Sequence, residues 1–446
     1  MITTLRRAIG AVWHTLRFHN WWNAKTPVLL TIFFAACFLA GVDVRTSATH
    51  LLPVLVWLIA AAAFGHYVND IFDLEDDLAA GKPNTTSTHS GWVKVLIAGG
   101  LAALAVLPWV LFDAHRVMIP VVVAHLLIFL LYSSRPLRLK ERGWIGVLTD
   151  SLYAHVLPGI VVLLAVPTDQ VGVQHAVPLA LFVAWQALSG VRNILNHQFE
   201  DHENDRLSGT RTIATVSGAR WVRRFVKRAL FAPEVVVFYA LAIHLPRLGP
   251  VLVIGHVGYT LYVYVREVSF RAEEERLGTI ERGRYDFLSG VVLNEFYEKW
   301  MPLFVLVTLS VSRIEWLAAI AVHLLLFPSV PKRFHTDFKY VVLTLSHRAY
   351  WWLEKLYYNT FMRIKHEIYW SVVRLWRRRQ AVRDFLYFRI WLPFSNYVYY
   401  KVWLPFSFLA YYKVWGRVKH YIYWKILHAD LEPDDDERPG ERSVDR

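Results

Sequence analysis

Cysteine is nearly absent from this chain. Its 446 residues contain one, Cys37. An intrachain disulfide is therefore excluded, and so is a thiolate-rich metal site. Cys37 falls inside an apolar run and reads as packing. Charge is scarce as well, at 19% of residues, where soluble domains carry about 25%. No small-residue cleavage site follows the basic, amphipathic start "MITTLRRAIGAVWHTLRFHNWW". Residues 1–26 thus read as an interfacial segment rather than a removed signal.

Apolar residues are abundant: 55% of the chain is hydrophobic and 15% aromatic. They fall in runs of about 17–25 residues, the length of a helix that crosses a bilayer core. The runs lie at roughly 27–43, 51–68, 92–112, 117–133, 144–166, 175–195, 229–246 and 249–265. A further region, 290–327, is interrupted by "SVSRIEW" and reads as one long span or two short ones. The expected fold is an all-α polytopic membrane protein whose transmembrane part covers residues 27–328. Lys and Arg concentrate in alternate loops, as in "SSRPLRLKER" and "ARWVRRFVKR". The positive-inside bias puts those loops, and the polar clusters beside them, on the cytoplasmic side of the cell membrane.

Beyond Pro331 the composition changes. Between Lys332 and Ala429 stand 18 Lys and Arg against 4 Asp and Glu, among many Trp, Tyr and Phe. A 12-residue repeat runs as "WLPFSNYVYYKV" from Trp391 and "WLPFSFLAYYKV" from Trp403, with Trp415 opening a degraded third copy. Twelve residues are not a whole number of α-helical turns, and Pro393 and Pro405 interrupt helices. Residues 329–429 therefore read as short broken helices in the headgroup layer, their Lys and Arg meeting anionic lipids. Nucleic acid is not an expected partner so near a bilayer. Residues 430–446 are acidic and read as disordered.

Two acidic clusters carry the chemistry. In "NDIFDLEDD", Asn69, Asp73 and Asp77 stand at i, i+4 and i+8 on one helical face, with Asp70 beside them. Glu75 and Asp76 point to water on that reading. Like charges so spaced repel. Hard oxygen ligands without Cys or His point to Mg²⁺, which bridges carboxylates to phosphates. In "NHQFEDHENDRLSG", Gln198, Asp201 and Asp205 share a second face. Each cluster follows the second span of a four-span block, as in two similar halves facing across a cavity. Such a pair fits a diphosphate held through Mg²⁺. Between them, Arg138 and Lys140 follow Pro136 in a short basic turn suited to phosphate oxygens, and Lys82 is similarly placed. An ion transporter is the reading from another class, although these clusters sit at span ends rather than at mid-membrane.

The ordered set "NDxxDxxxD" (Asn69, Asp70, Asp73, Asp77), "YSxxPxRLK" and "DxxxD" (Asp201, Asp205) resembles the UbiA superfamily of intramembrane prenyltransferases. The similarity covers about residues 15–325. It implies about nine transmembrane helices around a central cavity and Mg²⁺-dependent transfer of an isoprenyl chain from its diphosphate to an acceptor. It implies that Asp73, Asp77, Asp201 and Asp205 are catalytic, and that they bind metal with Asn69 and Asp70. Lys82, Arg138, Lys140, Asn69 and Gln198 would hold the diphosphate, and Arg17, Asn20 and Tyr132 would touch substrate. The acceptor expected is small, aromatic or lipid-like. A terpene cyclase on the same scaffold would use the same metal site. Where many members carry Arg-Pro after the first motif, this chain has "GKPNTTSTHS".

Overall fold

A computed structural model describes residues 21–79, 81, 83–112, 117–167, 176–277, 287–376 and 380–409. Arg17, Asn20, Lys82, the degraded repeat at Trp415 and the acidic tail lie outside these residues. Every regular element described is helical. The chain divides into two units. One comprises Met1–Tyr264 and Ile280–Pro331; the other comprises Val265–Thr279 and Lys332–Arg446.

In the first unit the apolar runs fold as helices that pack on one another through a shared core. Lys25–Leu39 packs on the 301–312 helix and on Leu157–Leu164. Val44–Phe72 packs on Gly91–Leu111 and Met118–Ser133. Their contacts are dense and apolar. Trp57 is fully buried, edge-on to Trp109 and tilted against His125. Phe33, Leu306, Leu309 and Phe296 join the same cluster. Apolar packing inside a bilayer rests on shape complementarity, because lipid tails are as apolar as Leu. Gly190 serves that fit: a Cβ there would come 2.4 Å from Ser151 Oγ, so only glycine lets Ala176–Glu200 approach Trp144–Ser151 so closely.

The count of nine crossing helices is not met by length and apolarity. Among the described residues four helices qualify: Val44–Phe72, Gly91–Leu111, Trp144–Leu164 and Leu248–Val265. Lys25–Leu39, Met118–Ser133 and Ile314–Leu326 are apolar but shorter. Polar content lowers the others; Ala176–Glu200, for example, carries Gln186, Arg192 and Asn193. The region 290–327 divides at Arg313, whose extended backbone separates Met301–Ser312 from Ile314–Leu326. Among the described residues of this unit, π segments stand at Leu152–Val156, Val226–Leu230 and Phe287–Trp300.

The second unit corrects the picture of broken helices. Ser329–Leu356, a π turn at Tyr357–Met362 and Arg363–Trp376 follow one another without a gap. From Gln380 the chain alternates α and π segments: π at Leu386–Trp391 and Val398–Trp403, α at Leu392–Tyr397 and Leu404–Phe408. Tyr357 stacks on Trp403 at 3.5 Å and Tyr369 meets Tyr387 edge-on, so the two stretches run antiparallel. Pro393 and Pro405 each open an α segment directly after a π turn. A proline there breaks no established α ladder, because the wide turn before it already differs in its hydrogen bonding. Tyr387, Trp391, Ser395, Val398, Trp403 and Ser407 are half-buried among exposed neighbours. All but Val398 are spaced in multiples of four. The π turns widen the average turn to about four residues, so a twelve-residue repeat closes on three turns and keeps one face.

Candidate active site

The first acidic motif sits where a helix stops and restarts. Val44–Phe72 ends with Asp73 as its C-cap, and Leu74–Ala79 begins at once. The backbone nevertheless stays in register, since Asp73 N donates to Asn69 O at 2.9 Å and Asp77 N to Asp73 O at 2.8 Å. Asn69, Asp73 and Asp77 therefore remain one turn apart, as their spacing predicts.

The basic turn folds onto this face. Its Arg135–Pro136 bond is cis, and Arg138 adopts a left-handed backbone with φ 37°. A non-glycine residue held there costs about 1–3 kcal/mol, and the ion pairs of its guanidinium offset that cost. Arg138 Nη2 lies 3.1 Å from Asp73 Oδ1 and 2.5 Å from Asp76 Oδ2, and Nε lies 2.9 Å from Glu141 Oε1. Lys140 Nζ donates to Asp73 Oδ1 and, at 3.4 Å, to Asn69 Oδ1. Ser133 Oγ donates to the same Asn69 oxygen at 3.2 Å. The structure thus brings Asn69, Asp73, Arg138 and Lys140 together. The approach of the turn depends on Gly146, where a Cβ would come 2.6 Å from the Leu139 carbonyl.

Three residues depart from the sequence reading. Asp76 does not simply face water: it pairs with Arg138, whose guanidinium holds its carboxyl below the usual range. It stands seven residues after Asn69 and three after Asp73, which puts it on the same helical face as both. Asp70 lies against the segment of residues 84–86. It is buried, with its Oδ2 accepting from Thr85 Oγ1 at 2.6 Å and its carbonyl accepting from Asn84 and Thr86. Asn84 Nδ2 also donates to Asp77 Oδ2 at 2.8 Å. The neutral "NTT" segment, whose role sequence reasoning missed, is thus a brace under the motif. Gln198, expected at the diphosphate, is buried, and its Oε1 accepts from Ile213 N at 3.1 Å. That bond and the Thr212 capping box anchor the start of Ile213–Ser217.

The second motif lies at the end of Ala176–Glu200. Asp201 Oδ2 is 3.5 Å from His197 Nδ1, and Asp205 N donates to Asp201 O at 2.8 Å. Asp205 sits on the next short helix, His202–Ser208. A small buried cluster of Val147, Leu195, Ile213 and Val222 supports this end. Asp150, overlooked in the sequence, carries a further carboxylate between the helices. Tyr153 Oη donates to its carboxylate, and it lies within electrostatic reach of His197. Tyr132 lies within reach of both Asp73 and Asp150 and meets Tyr153 edge-on at 4.9 Å. Phe129 tilts against Tyr153 at 4.4 Å, so the three rings pack together.

The donor chemistry suits Mg²⁺. The available ligands are carboxylate and amide oxygens, and Asp73 Oδ2 and Asp77 Oδ1 accept no hydrogen bond among the described residues. Those residues contain no preformed cage of three or more His, Cys, Asp or Glu. Mg²⁺ does not need one, since it takes one or two carboxylates and completes its shell with phosphate and water.

The UbiA prenyltransferase family matches the chain over residues 28–278. No curated protein matches it in sequence. Among solved structures, a UbiA homolog from Archaeoglobus fulgidus bound to GPP and Mg²⁺ is 15% identical, with a TM-score of 0.49. The same homolog bound to DMAPP and Mg²⁺ gives 15% and 0.48; each comparison covers 67% of this chain and 99% of the other. A digeranylgeranylglyceryl phosphate synthase is 17% identical over 67% of this chain and 96% of its own, with a TM-score of 0.39.

Proposed function

The chain belongs to the UbiA prenyltransferase family, and on that premise we propose that it transfers an isoprenyl chain, within the membrane, from an allylic diphosphate to a small acceptor. The observation that carries this reading is the meeting of Asn69, Asp73, Arg138 and Lys140 in one acidic and basic cluster. Asn69, Asp73 and Asp77 on one side, and Asp201 and Asp205 on the other, would hold Mg²⁺. When bound, the metal neutralises diphosphate and makes it a better leaving group. Arg138 and Lys140 exchange Asp73 for phosphate oxygens when the diphosphate arrives. Arg138 is suited to this because its fork offers several donors at once. Asp76 and Glu141 keep that fork oriented. Asp70, Asn84 and Thr85 hold the motif in place.

The C1–O bond of the substrate then breaks, its electron pair leaving with diphosphate. The rings of Phe129, Tyr132 and Tyr153 stabilise the allylic cation through their π faces. The apolar walls exclude water, which would otherwise capture it. An acceptor nucleophile bonds to C1 and gives up its proton. We place the site on the cytoplasmic side, from the Lys and Arg bias of its loops. The residues after Lys332 we read as a surface extension that meets anionic headgroups, because it couples Lys and Arg to exposed Phe388, Phe394, Tyr400 and Phe406.

The test is to incubate membranes containing the protein with an allylic diphosphate and Mg²⁺, with and without acceptor. A product carrying both acceptor and prenyl atoms is expected. A product without acceptor atoms would indicate cyclisation instead. A second expectation concerns Gly146→Ala. The added methyl pushes the Leu139–Lys140 backbone and moves Lys140 off the motif. Diphosphate release should fall about 10- to 100-fold in a protein that still folds. An unchanged initial rate would dissociate the basic turn from the reaction.

A further inference from the structure

The chain after the second motif forms a basic helix that the mechanism above does not use. Ala219–Phe225 runs through a π segment, Val226–Leu230, into the apolar helix Phe231–Ile243. Its first turns have two faces. Val222, Val226 and Leu230 are buried and pack with Val147, Leu195 and Ile213. Arg220, Arg223, Arg224, Lys227 and Arg228 are all exposed. Their spacing of three and four residues puts the five cations on one face.

Like charges at that spacing repel. The positive-inside bias asks only for cations in a loop, not for five on one side of a packed helix. Among the described residues, none of the five has a carboxylate within 4.0 Å. Acids nearby in the sequence are engaged elsewhere: Glu203 pairs with Arg206, and Glu234 with Arg192. The contacts this face does make leave its charge in place. Arg224 Nε donates to the Arg220 carbonyl at 3.3 Å, and the Arg223 guanidinium lies 5.9 Å from the centre of the Phe199 ring. The face therefore lacks an anion that the protein does not supply.

Its surroundings point to which anion. The cations stand directly before an apolar helix, the position in which Lys and Arg clusters meet lipid phosphates. Trp221 and Phe225 stack at 5.0 Å at the border of the cationic and buried faces, and Trp144 packs edge-on to both. Trp144, Ile145 and Leu148 are exposed on the neighbouring helix Trp144–Ser151. Rings and apolar side chains beside the charges suit a headgroup with acyl chains alongside. A free phosphate would use the cations alone.

The helix is also tied to the second motif. Phe199, beneath Arg223, stands two residues before Asp201. Leu195, on the same helix as Phe199, shares the buried cluster with Val222 and Val226. Whatever holds Ala219–Leu230 in place thus also holds the end of Ala176–Glu200.

We propose that this face binds the headgroup phosphates of anionic phospholipids and thereby steadies the second acidic motif. The binding does not rest on the transferase reading. The test uses the full-length protein in detergent, with dioctanoyl phosphatidylglycerol, dioctanoyl phosphatidylcholine and glycerol phosphate as separate probes and native mass spectrometry as the readout. Phosphatidylglycerol is expected to bind most tightly. Arg220→Gln, Arg224→Gln and Arg228→Gln together should weaken its tightest binding at least tenfold, since each cation at a headgroup layer contributes several-fold. The same three changed to Lys should cost less than threefold. Lys365→Gln, Arg389→Gln and Lys401→Gln together, in the residues after Lys332, should leave the tightest binding within threefold of wild type. A thermal melt of each variant separates lost contact from lost fold. Hydrogen exchange at the backbone amides of residues 197–205 should slow with phosphatidylglycerol relative to phosphatidylcholine in wild type, and not in the triple Gln variant at 220, 224 and 228. The proposal is overturned if the two lipids bind wild type equally, if that variant binds as wild type does, or if glycerol phosphate binds as tightly as phosphatidylglycerol. It is overturned equally if the loss follows the variant beyond Lys332 instead. Exchange that ignores the bound lipid would overturn the link to the second motif.

Discussion

A variant carrying both Asp73→Ala and Asp201→Ala is expected to release no diphosphate from an allylic diphosphate above the protein-free rate, at any Mg²⁺ concentration. The two aspartates stand at the ends of different helices. Neither half alone can neutralise a diphosphate. Removing one preorganised group that stabilises developing charge costs about 10²–10³ in rate, so the pair should lose at least that. The fold should survive. Arg138 keeps Asp76 and Glu141 when Asp73 is lost, and the partly exposed Asp201 has His197 as its side-chain partner among the described residues. Wild-type release in the double variant would sink the catalytic assignment of both motifs. A low rate restored by high Mg²⁺ would show that metal affinity, rather than charge placement, is the larger share.

The largest stability effect should come from a residue that touches neither motif. Glu234→Leu is expected to destabilise the protein by about 3–5 kcal/mol, the cost of leaving a buried charge without its partner. Arg192 and Glu234 are both fully buried, with Nε–Oε2 at 2.6 Å and Nη2–Oε1 at 3.0 Å. Stripped of Glu234, the guanidinium keeps Ser189 and Asn193 among its partners, neutral groups that cannot balance its charge. Thermal unfolding in detergent measures this directly. Replacing both residues, as Arg192→Met with Glu234→Leu, should recover most of the loss, because a well-packed apolar pair needs no compensation. The double variant should still differ from wild type at Asn193, whose carbonyl loses a donor. An unchanged melting temperature in Glu234→Leu would mean that water or lipid headgroups reach the pair.

Much of the site was legible because its parts share local periodicity. Asn69, Asp73 and Asp77 recur every four residues, and the backbone keeps that interval even where the helix changes hands at Asp73. The basic turn was legible from its Pro and from the density of its cations. What the sequence could not convey were contacts that close over a distance. Asn84 reaches back fourteen residues to Asp70, and Ile213 reaches back fifteen to Gln198. No period encodes such bonds, so the partners of Asp70 and Gln198 were not legible. Asp76 was misread although it stands seven residues after Asn69, nearly above it on the same helical face, where Arg138 reaches it. Asp150 looked like an isolated polar residue within an apolar run, and only the packing of separate helices sets it within reach of His197. The fold shows the same division. Apolar runs located the helices, but a length rule alone could not separate crossing helices from shorter ones.

The repeat hairpin has an arithmetic of its own. With about four residues to the turn, each residue advances the face by about 90°. Whole copies of twelve can be gained or lost and the Trp391 and Trp403 stripe stays aligned, whereas a single inserted residue would turn everything beyond it a quarter of the way round. The second stretch of the hairpin is thus free to lengthen or shorten in discrete steps, like a ruler marked only in units of three turns.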